Sequence, residues 1–168
     1  SFDAKSINSL SLYCRITTHV LDGDDLLVSR VERRTTLSYK NVKIDLWLAD
    51  LTHTGQSIAS DAIPAAIGMI AEAVNQGCPS VSEIRLFKFP DTLNKALLNR
   101  VPKIIGFSNY VWNFRLSQAF GKAIKKAYPN TTIIMGGPNF PSDSSEQEEF
   151  LLTNSWIDFY IEKEGETP

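Results

Sequence analysis

The stretch that decides the fold is Val42-Lys-Ile-Asp-Leu-Trp-Leu-Ala49, followed by Asp50-Leu-Thr-His-Thr-Gly-Gln-Ser57. Residues 42–49 have the β-prone composition of a strand, and the loop after them is rich in Thr, Ser and Gly. Asp61 can then cap the amino end of a helix. The apolar residues that follow have the spacing of one helix face: Ile63, Ile67, Ile70 and Val74. The sequence therefore predicts a strand, a loop and a helix.

The same alternation continues along the rest of the chain. We predict further strands at residues 83–89, 103–108, 131–135 and 157–161, and further helices at 91–100, 116–127 and 145–154. Strands that alternate with helices imply right-handed crossovers and a parallel sheet. The predicted fold is therefore α/β, a doubly wound, mainly parallel five-stranded sheet of Rossmann type with flavodoxin-like strand order.

The two ends of the chain fit this scheme less simply. Residues 1–40 form an N-terminal extension of uncertain structure, because Asp22-Gly23 suits either a hairpin turn or a break between two helices. Residues 41–168 form the predicted domain, which stops directly after its fifth strand, where a fifth helix is expected. We expect that the chain is a fragment of a longer protein, or that residues 1–40 supply the missing cover.

Composition excludes several classes of function. With 17 basic and 19 acidic residues among 168, the net charge is −2, which disfavours nucleic acid and membrane surfaces as partners. No apolar stretch approaches the roughly 20 residues of a membrane span, and no secretory signal is evident. Two cysteines, Cys14 and Cys78, are too few for a disulfide framework or an iron–sulfur cluster. We expect a cytoplasmic protein.

Ligands of an open parallel sheet bind at the carboxyl ends of its strands. Three of the loops at these ends contain residues that suit ligand binding. The loop at residues 50–57 has hydroxyls, a glycine and backbone amides that could bind a phosphate. Alternatively, its Thr and Ser side chains only form hydrogen bonds with nearby backbone groups of the loop. In the loop at 106–113, Tyr110 and Trp112 suit stacking on a planar ring or packing in the core. Gly136-Gly137 suits the close approach of a flat ligand, or a tight turn with positive φ.

His53 is the residue of the first loop that can ligate a metal, with Asp50 as the partner that orients it. A single histidine without other ligands more often forms a hydrogen bond within its loop. We therefore favour the hydrogen-bonded interpretation of His53.

Taken together, these elements resemble the N-terminal cobalamin-binding domain of cobalamin-dependent radical S-adenosylmethionine (radical SAM) enzymes. The likeness covers about residues 42–166, and its specific parts are Gly136-Gly-Pro138 and Glu164-Gly-Glu166. The resemblance implies a Rossmann-type domain that binds a corrinoid and has no catalytic residue of its own. In the parent enzyme it implies a following radical SAM domain as partner, with a 4Fe-4S cluster and S-adenosylmethionine, and methyltransferase or related radical chemistry.

The resemblance also implies the residues that contact cobalamin: Thr52, His53, Thr54, Gly55, Ser57, Ser108, Asn109, Tyr110, Gly136, Gly137, Pro138, Glu164 and Gly165. The first loop would line the nucleotide tail and the lower corrinoid face, and the two glycines would admit the base of the tail. Cobalamin domains of the methionine-synthase type carry Asp-x-His-x-x-Gly, whereas Asp50, His53 and Gly55 have a different spacing here. We therefore predict that the cobalt has no protein nitrogen ligand, although His53 is the candidate for one.

Other functions fit parts of the pattern. Thr52-His-Thr-Gly-Gln-Ser57 also matches the phosphate loop of FMN-binding flavodoxins, although Ile58-Ala-Ser60 separates it from the predicted helix. A ligand-free scaffold domain of the same fold is a further alternative. A response-regulator receiver is disfavoured, because its phosphoacceptor aspartate should end the third strand, where this chain has Ser108-Asn109.

Overall fold

The structure, a computed structural model, describes residues 43–54 and 63–162. In chain order its elements are β1 (Ile44–Ala49), α1 (Ala65–Gly77), β2 (Val81–Phe87), α2 (Pro90–Asn99), β3 (Ile104–Ser108), α3 (Phe114–Ala127), β4 (Thr132–Gly136), α4 (Ser144–Thr153) and β5 (Phe159–Ile161). Each predicted strand and helix has a counterpart among them. None of the helices in these two ranges is long and apolar enough to cross a membrane.

The five strands form one parallel sheet in the order β2-β1-β3-β4-β5. β1 lies inside the sheet, where Leu46 pairs with Ile84 of β2 and with Ile104 of β3. At the other side of β3, Ser108 pairs with Gly136 of β4. This arrangement confirms the predicted doubly wound α/β fold with flavodoxin-like strand order.

The two faces of the sheet are covered unequally by the described residues. On one face, Trp47 and Ile133 are fully buried and belong to a large apolar cluster that includes residues of α2 and α3, with α4 packed against it. On the opposite face, Leu46 and Leu48 pack with Ile67 of α1 in a smaller cluster. We call these the three-helix face and the α1 face. Because apolar burial stabilises by about 25 cal/mol per Å², the three-helix face contributes more to stability.

Two boundaries differ from the prediction in ways that matter for packing. β5 begins at Phe159 rather than at Ile157, because the Ile157 backbone N–H donates to the Asn154 carbonyl at 2.9 Å and so belongs to the turn after α4. α1 begins at Ala65, so Ile63 precedes the helix and is 85% exposed instead of extending its apolar stripe. The predicted amino-terminal extension and the predicted cap at Asp61 lie outside the described residues.

Candidate functional site

Three loops meet where β1, β3 and β4 end, and we call them together the carboxyl rim: residues 50–54, 108–113 and 136–139. The parallel register brings them to one edge of the sheet, since β3 pairs with both β1 and β4. Several predicted site residues therefore lie at this edge: Thr52, His53, Thr54, Ser108, Asn109, Tyr110, Gly136, Gly137 and Pro138. The other predicted site residues lie outside the described residues: Gly55, Ser57, Glu164 and Gly165.

Asp50 joins the first two loops of the rim through its side chain. Its Oδ1 accepts hydrogen bonds from the Ser108 hydroxyl at 2.6 Å and from the Asn113 amide at 3.0 Å. The Asn113 amide also donates to the Ser108 Oγ at 2.8 Å. We call these three side chains the Asp50 cluster. The carboxylate of Asp50 therefore binds β3 and the start of α3, and it does not orient His53 as the sequence suggested.

Asn113 also holds the turn that precedes it. Its Oδ1 accepts a hydrogen bond from the Tyr110 backbone N–H at 2.9 Å. The Tyr110 ring stacks on the Trp112 ring with centroids 4.6 Å apart and planes 6° apart. Trp112 is 60% exposed and Val111 is 79% exposed. The turn therefore presents a flat aromatic surface at the rim, and Trp112 is not a core residue.

His53 is exposed and closes against the same turn. Its Nε2 lies 3.0 Å from the backbone carbonyl oxygen of Trp112. Because a carbonyl oxygen can only accept, Nε2 carries the proton in this contact, and in a neutral ring Nδ1 is then the unprotonated nitrogen. His53 thus has the role of a hydrogen-bonded loop histidine. The described part of the chain contains no group of three or more His, Cys, Asp or Glu that could hold a metal ion.

Thr52 brings a buried hydroxyl to the rim. Its backbone N–H donates to the Lys88 carbonyl at 3.0 Å, and the residue is 6% exposed. Its Oγ1 has no hydrogen-bond partner among the described residues. An unpaired buried polar group costs about 1–3 kcal/mol. A ligand atom that formed a hydrogen bond with the Thr52 hydroxyl would therefore remove this cost.

A second polar cluster links the loops after β3 and β4. The Asn109 amide donates to the Asn139 carbonyl at 2.6 Å and to the Tyr160 hydroxyl oxygen at 2.9 Å. The Tyr160 hydroxyl donates in turn to the Gly137 carbonyl at 2.8 Å. Burial raises the pKa of Tyr160 to about 12, against the opposing effect of the Asn109 hydrogen bond. The Asn109 side chain is fully buried and engaged within the protein, so its contact with a cofactor stays a prediction.

Gly136 and Gly137 are adjacent, but the structure requires glycine at only one of the two positions. Gly137 has φ 130°, and a Cβ there would lie 2.7 Å from the Asn109 carbonyl oxygen. Both the conformation and the close approach require glycine at this position. At Gly136 a Cβ would meet Ile161 at 3.4 Å, within ordinary contact. The turn therefore accounts for Gly137 without any ligand, whereas nothing in the turn requires glycine at Gly136, where a side chain would make ordinary contact with Ile161.

The sequence analysis did not identify Asn113, Asn139 and Tyr160 as site residues. Asn113 and Asn139 are amide side chains in loops at strand ends, where such residues often bond to nearby backbone groups, and this signal could have found them. Tyr160 lies within β5 and has no local signal. Its role depends on the pairing of β5 with β4, which only the folded sheet shows.

No family model matches the chain. The cobalamin-dependent radical SAM methyltransferase TokK of Streptomyces tokunonensis is 34% identical over 65 residues, which are 39% of this chain and 9% of TokK. The 2-(S-pantetheinyl)-carbapenam-3-carboxylate methyltransferase of Streptantibioticus cattleyicolor is 30% identical over 66 residues, again 39% of this chain and 9% of the relative. The chain thus has partial similarity to cobalamin-dependent radical SAM methyltransferases, and the match spans less than a tenth of their length.

A solved structure with a similar fold is the isolated REC domain of RcsB from Salmonella enterica serovar Typhimurium, in the presence of the phosphomimetic BeF3−. The TM-score is 0.52 at 15% identity, over 73% of this chain and 79% of that chain. At this identity the likeness shows the fold alone. β3 ends with Ser108, where the phosphoacceptor aspartate of a receiver is expected, so the likeness does not extend to that chemistry.

Proposed function

We propose that this chain is a cobalamin-binding domain and that its parent protein is a cobalamin-dependent radical SAM enzyme, a methyltransferase or a related radical enzyme. The observation that carries the proposal is the partial match to TokK. The fold is compatible with it, because open parallel sheets bind their ligands at the carboxyl ends of the strands. In this proposal the chain has no catalytic residue of its own.

The carboxyl rim has three features that suit a large, flat cofactor with many amide groups. The Thr52 hydroxyl is buried and unpaired among the described residues, so it is available to a polar atom. The exposed Trp112 ring offers an apolar plane for stacking. Gly136 is half-buried and has no side chain beside β5, so a flat group can approach its backbone. These features lie on three adjacent loops, as a ligand that spans the strand ends requires.

The proposed contacts come from the three loops of the rim: Thr52, His53, Thr54, Ser108, Asn109, Tyr110, Gly136, Gly137 and Pro138. When bound, cobalamin supplies a cobalt ion that can carry a methyl group. The His53 Nε2 is engaged with the Trp112 carbonyl, so Nδ1 is the one ring nitrogen that could bind a metal. Asp50 bonds to Ser108 and Asn113 instead of orienting this ring, and we propose that the cobalt has no nitrogen ligand from His53. The contacts predicted for Gly55, Ser57, Glu164 and Gly165 lie outside the described residues and stay predictions.

A binding experiment tests the proposal. The purified chain is mixed with hydroxocobalamin, passed through gel filtration and examined by absorption spectroscopy and thermal unfolding. We expect one corrinoid retained per chain and a higher melting temperature, because a ligand that binds only the folded state stabilises it. FMN should produce neither effect. Retention of FMN alone would replace the proposal with the flavodoxin alternative, and retention of neither cofactor would favour the scaffold alternative.

A matched pair of glycine variants locates the cofactor. Gly136→Ala adds a methyl group at the rim, in contact with Ile161, and should weaken hydroxocobalamin binding by about tenfold or more. Gly77→Ala adds the same group at the far end of α1, where a Cβ meets nothing within 4 Å, and should leave binding unchanged. Equal affinities in the two variants would contradict the role of Gly136.

The axial ligand has a test of its own. His53→Ala should leave the visible spectrum of bound hydroxocobalamin unchanged, because in the proposal neither ring nitrogen binds the cobalt: Nε2 donates to the Trp112 carbonyl and Nδ1 is not used as a ligand. Loss of a nitrogen-ligated signature in this variant would show that His53 binds the cobalt.

The parent enzyme is tested outside this chain. In the proposal, a radical SAM domain of the same polypeptide holds a 4Fe-4S cluster and S-adenosylmethionine, and it is the partner of this domain. Sequencing the gene downstream of Pro168 should show a three-cysteine cluster motif. A downstream sequence without one would remove the radical SAM part of the proposal and leave cobalamin binding to be judged separately.

A further inference from the structure

Asn113 stands immediately before α3, the position where an asparagine commonly caps a helix with its side-chain oxygen. No such hydrogen bond forms here. The oxygen accepts instead from the Tyr110 backbone N–H at 2.9 Å. Because that N–H can only donate, the oxygen of the amide must face it, and the NH2 group must face Asp50 and Ser108. The Asn113 side chain therefore holds the turn before the helix, whereas its backbone carbonyl accepts the first helical hydrogen bond from the Ser117 N–H at 3.0 Å.

We infer that Asp50 and Asn113 are positioning residues that set the turn carrying the Tyr110–Trp112 stack, and through that turn the affinity of the carboxyl rim for its cofactor. Asp50 follows β1 and binds the Asn113 amide at 3.0 Å. Asn113 binds Tyr110, and His53 binds the Trp112 carbonyl at 3.0 Å. The turn after β3 is thus attached to the loop after β1 at two points. Only the affinity part rests on the proposed function.

The hydrogen-bond pattern at position 113 is specific to an amide. One acceptor faces Tyr110, while two donors face Asp50 and the Ser108 Oγ, at 3.0 and 2.8 Å. Aspartate has the same shape but no donor, and it would set two carboxylates against each other at a fully buried position. The pattern can nevertheless be inverted, because an amide at position 50 can donate to a carboxylate at position 113.

An exchange of the two side chains tests the inference in the ligand-free protein. Asn113→Asp should abolish the near-UV circular dichroism band of the Tyr110–Trp112 stack, which Trp112→Phe identifies. The double variant Asp50→Asn/Asn113→Asp should restore the band, because the new amide donates to the new carboxylate, which still accepts from the Tyr110 N–H. If Asn113→Asp does not fold, Asn113→Ala serves as the broken state, since it removes the hydrogen bonds without adding charge.

Binding of hydroxocobalamin provides the second measurement. We expect affinity to fall by about tenfold or more in Asn113→Asp and to return to within about threefold of wild type in the double variant. Asn154→Asp changes another buried asparagine, at the end of α4 and away from the rim, and is the control. Because Asn154 accepts from the Trp156 indole N–H, this variant can change the Trp156 signal, but it should retain the part of the spectrum that Trp112→Phe removes, and the affinity, whatever its effect on stability.

The outcomes separate the inference from the proposed function. The inference is overturned if the circular dichroism band of the Tyr110–Trp112 stack persists in Asn113→Asp. It is also overturned if the band is lost in Asn113→Asp but does not return in the double variant. Cobalamin affinity that follows stability in all variants, including Asn154→Asp, overturns its affinity part. If the wild-type chain binds no cobalamin, the proposed function fails, and the circular dichroism band still decides whether Asp50 and Asn113 set the turn.

Discussion

The hydroxyls of Thr52 and Thr131 are buried to the same degree but differ in their partners. Thr131 donates to the Pro102 carbonyl at 3.2 Å, whereas Thr52 has no partner among the described residues. Valine has nearly the same shape as threonine without the hydroxyl. Thr52→Val should therefore raise the free energy of unfolding by about 1 kcal/mol, and Thr131→Val should lower it by about 1 kcal/mol. Urea denaturation of the ligand-free chain measures both changes.

The same Thr52→Val variant should bind hydroxocobalamin more weakly, because it lacks the hydroxyl that would form a hydrogen bond with the cofactor. A more stable protein with a weaker affinity cannot result from a general loss of structure. If Thr52→Val instead lowers the stability of the ligand-free chain, the hydroxyl already has a protein partner and is not held for a ligand.

Tyr160 gives the stability of the chain a dependence on alkaline pH. Burial raises its pKa from 10.0 to about 12 in the folded protein. As the pH rises above 10, the unfolded chain loses this proton first, so the folded state is progressively disfavoured between pH 10 and about pH 12. Wild type should lose stability more steeply over this interval than Tyr160→Phe. A wild-type slope no steeper than that of Tyr160→Phe would contradict the raised pKa of Tyr160.

Among the elements, α3 and α1 each contain a glycine in the helix interior, with opposite surroundings. A Cβ at Gly121 would overlap the Trp156 ring, whereas a Cβ at Gly68 would meet nothing within 4 Å. Gly121→Ala should lower the free energy of unfolding by about 1–3 kcal/mol through overpacking. Gly68→Ala should raise it by up to about 1 kcal/mol through helix propensity. Thermal or chemical unfolding of the pair is the measurement, and a stabilising Gly121→Ala would show that α3 does not approach Trp156 so closely.

The elements themselves are largely predictable from the sequence. β1, β3 and β4 are short and mainly apolar, α1 and α3 have a clear apolar spacing, and right-handed crossovers restrict the possible strand orders. Boundaries are less predictable, because tertiary contacts adjust them. α4, for example, begins at Ser144 because the Asp143 side chain accepts from the Ser145 and Glu146 backbone N–H groups, a cap that the sequence analysis did not assign.

The candidate site is predictable only in part. The loops of the carboxyl rim follow from the fold class, but the side-chain partners within them do not. Asp50 lies close to His53 in the sequence, yet it bonds to Ser108 and Asn113, which the β1–β3 pairing brings to it. Tyr160 joins the rim only because β5 pairs with β4. Local spacing carries no signal for contacts that the sheet topology creates.

At the scale of the whole molecule, the unequal cover of the sheet predicts an unequal sensitivity to mutation. Ile133 and Ile134 are neighbours on β4 whose side chains point to opposite faces. Ile133 is fully buried on the three-helix face, whereas Ile134 is partly exposed on the α1 face. Ile133→Ala should cost about 2–5 kcal/mol, and Ile134→Ala about 1 kcal/mol. Guanidinium denaturation compares them, and equal losses would contradict the unequal burial of the two faces.

The position of β1 has a consequence for how the chain is made. β1 is the first strand of the described sheet to be synthesised, yet it takes an interior place between β2 and β3. Its second edge is paired only through residues such as Ile104, which leave the ribosome much later. Until then an apolar strand edge is open to pairing with other chains. The nascent chain should therefore be most prone to aggregate, and most dependent on chaperones, in the interval between synthesis of β2 and synthesis of β3.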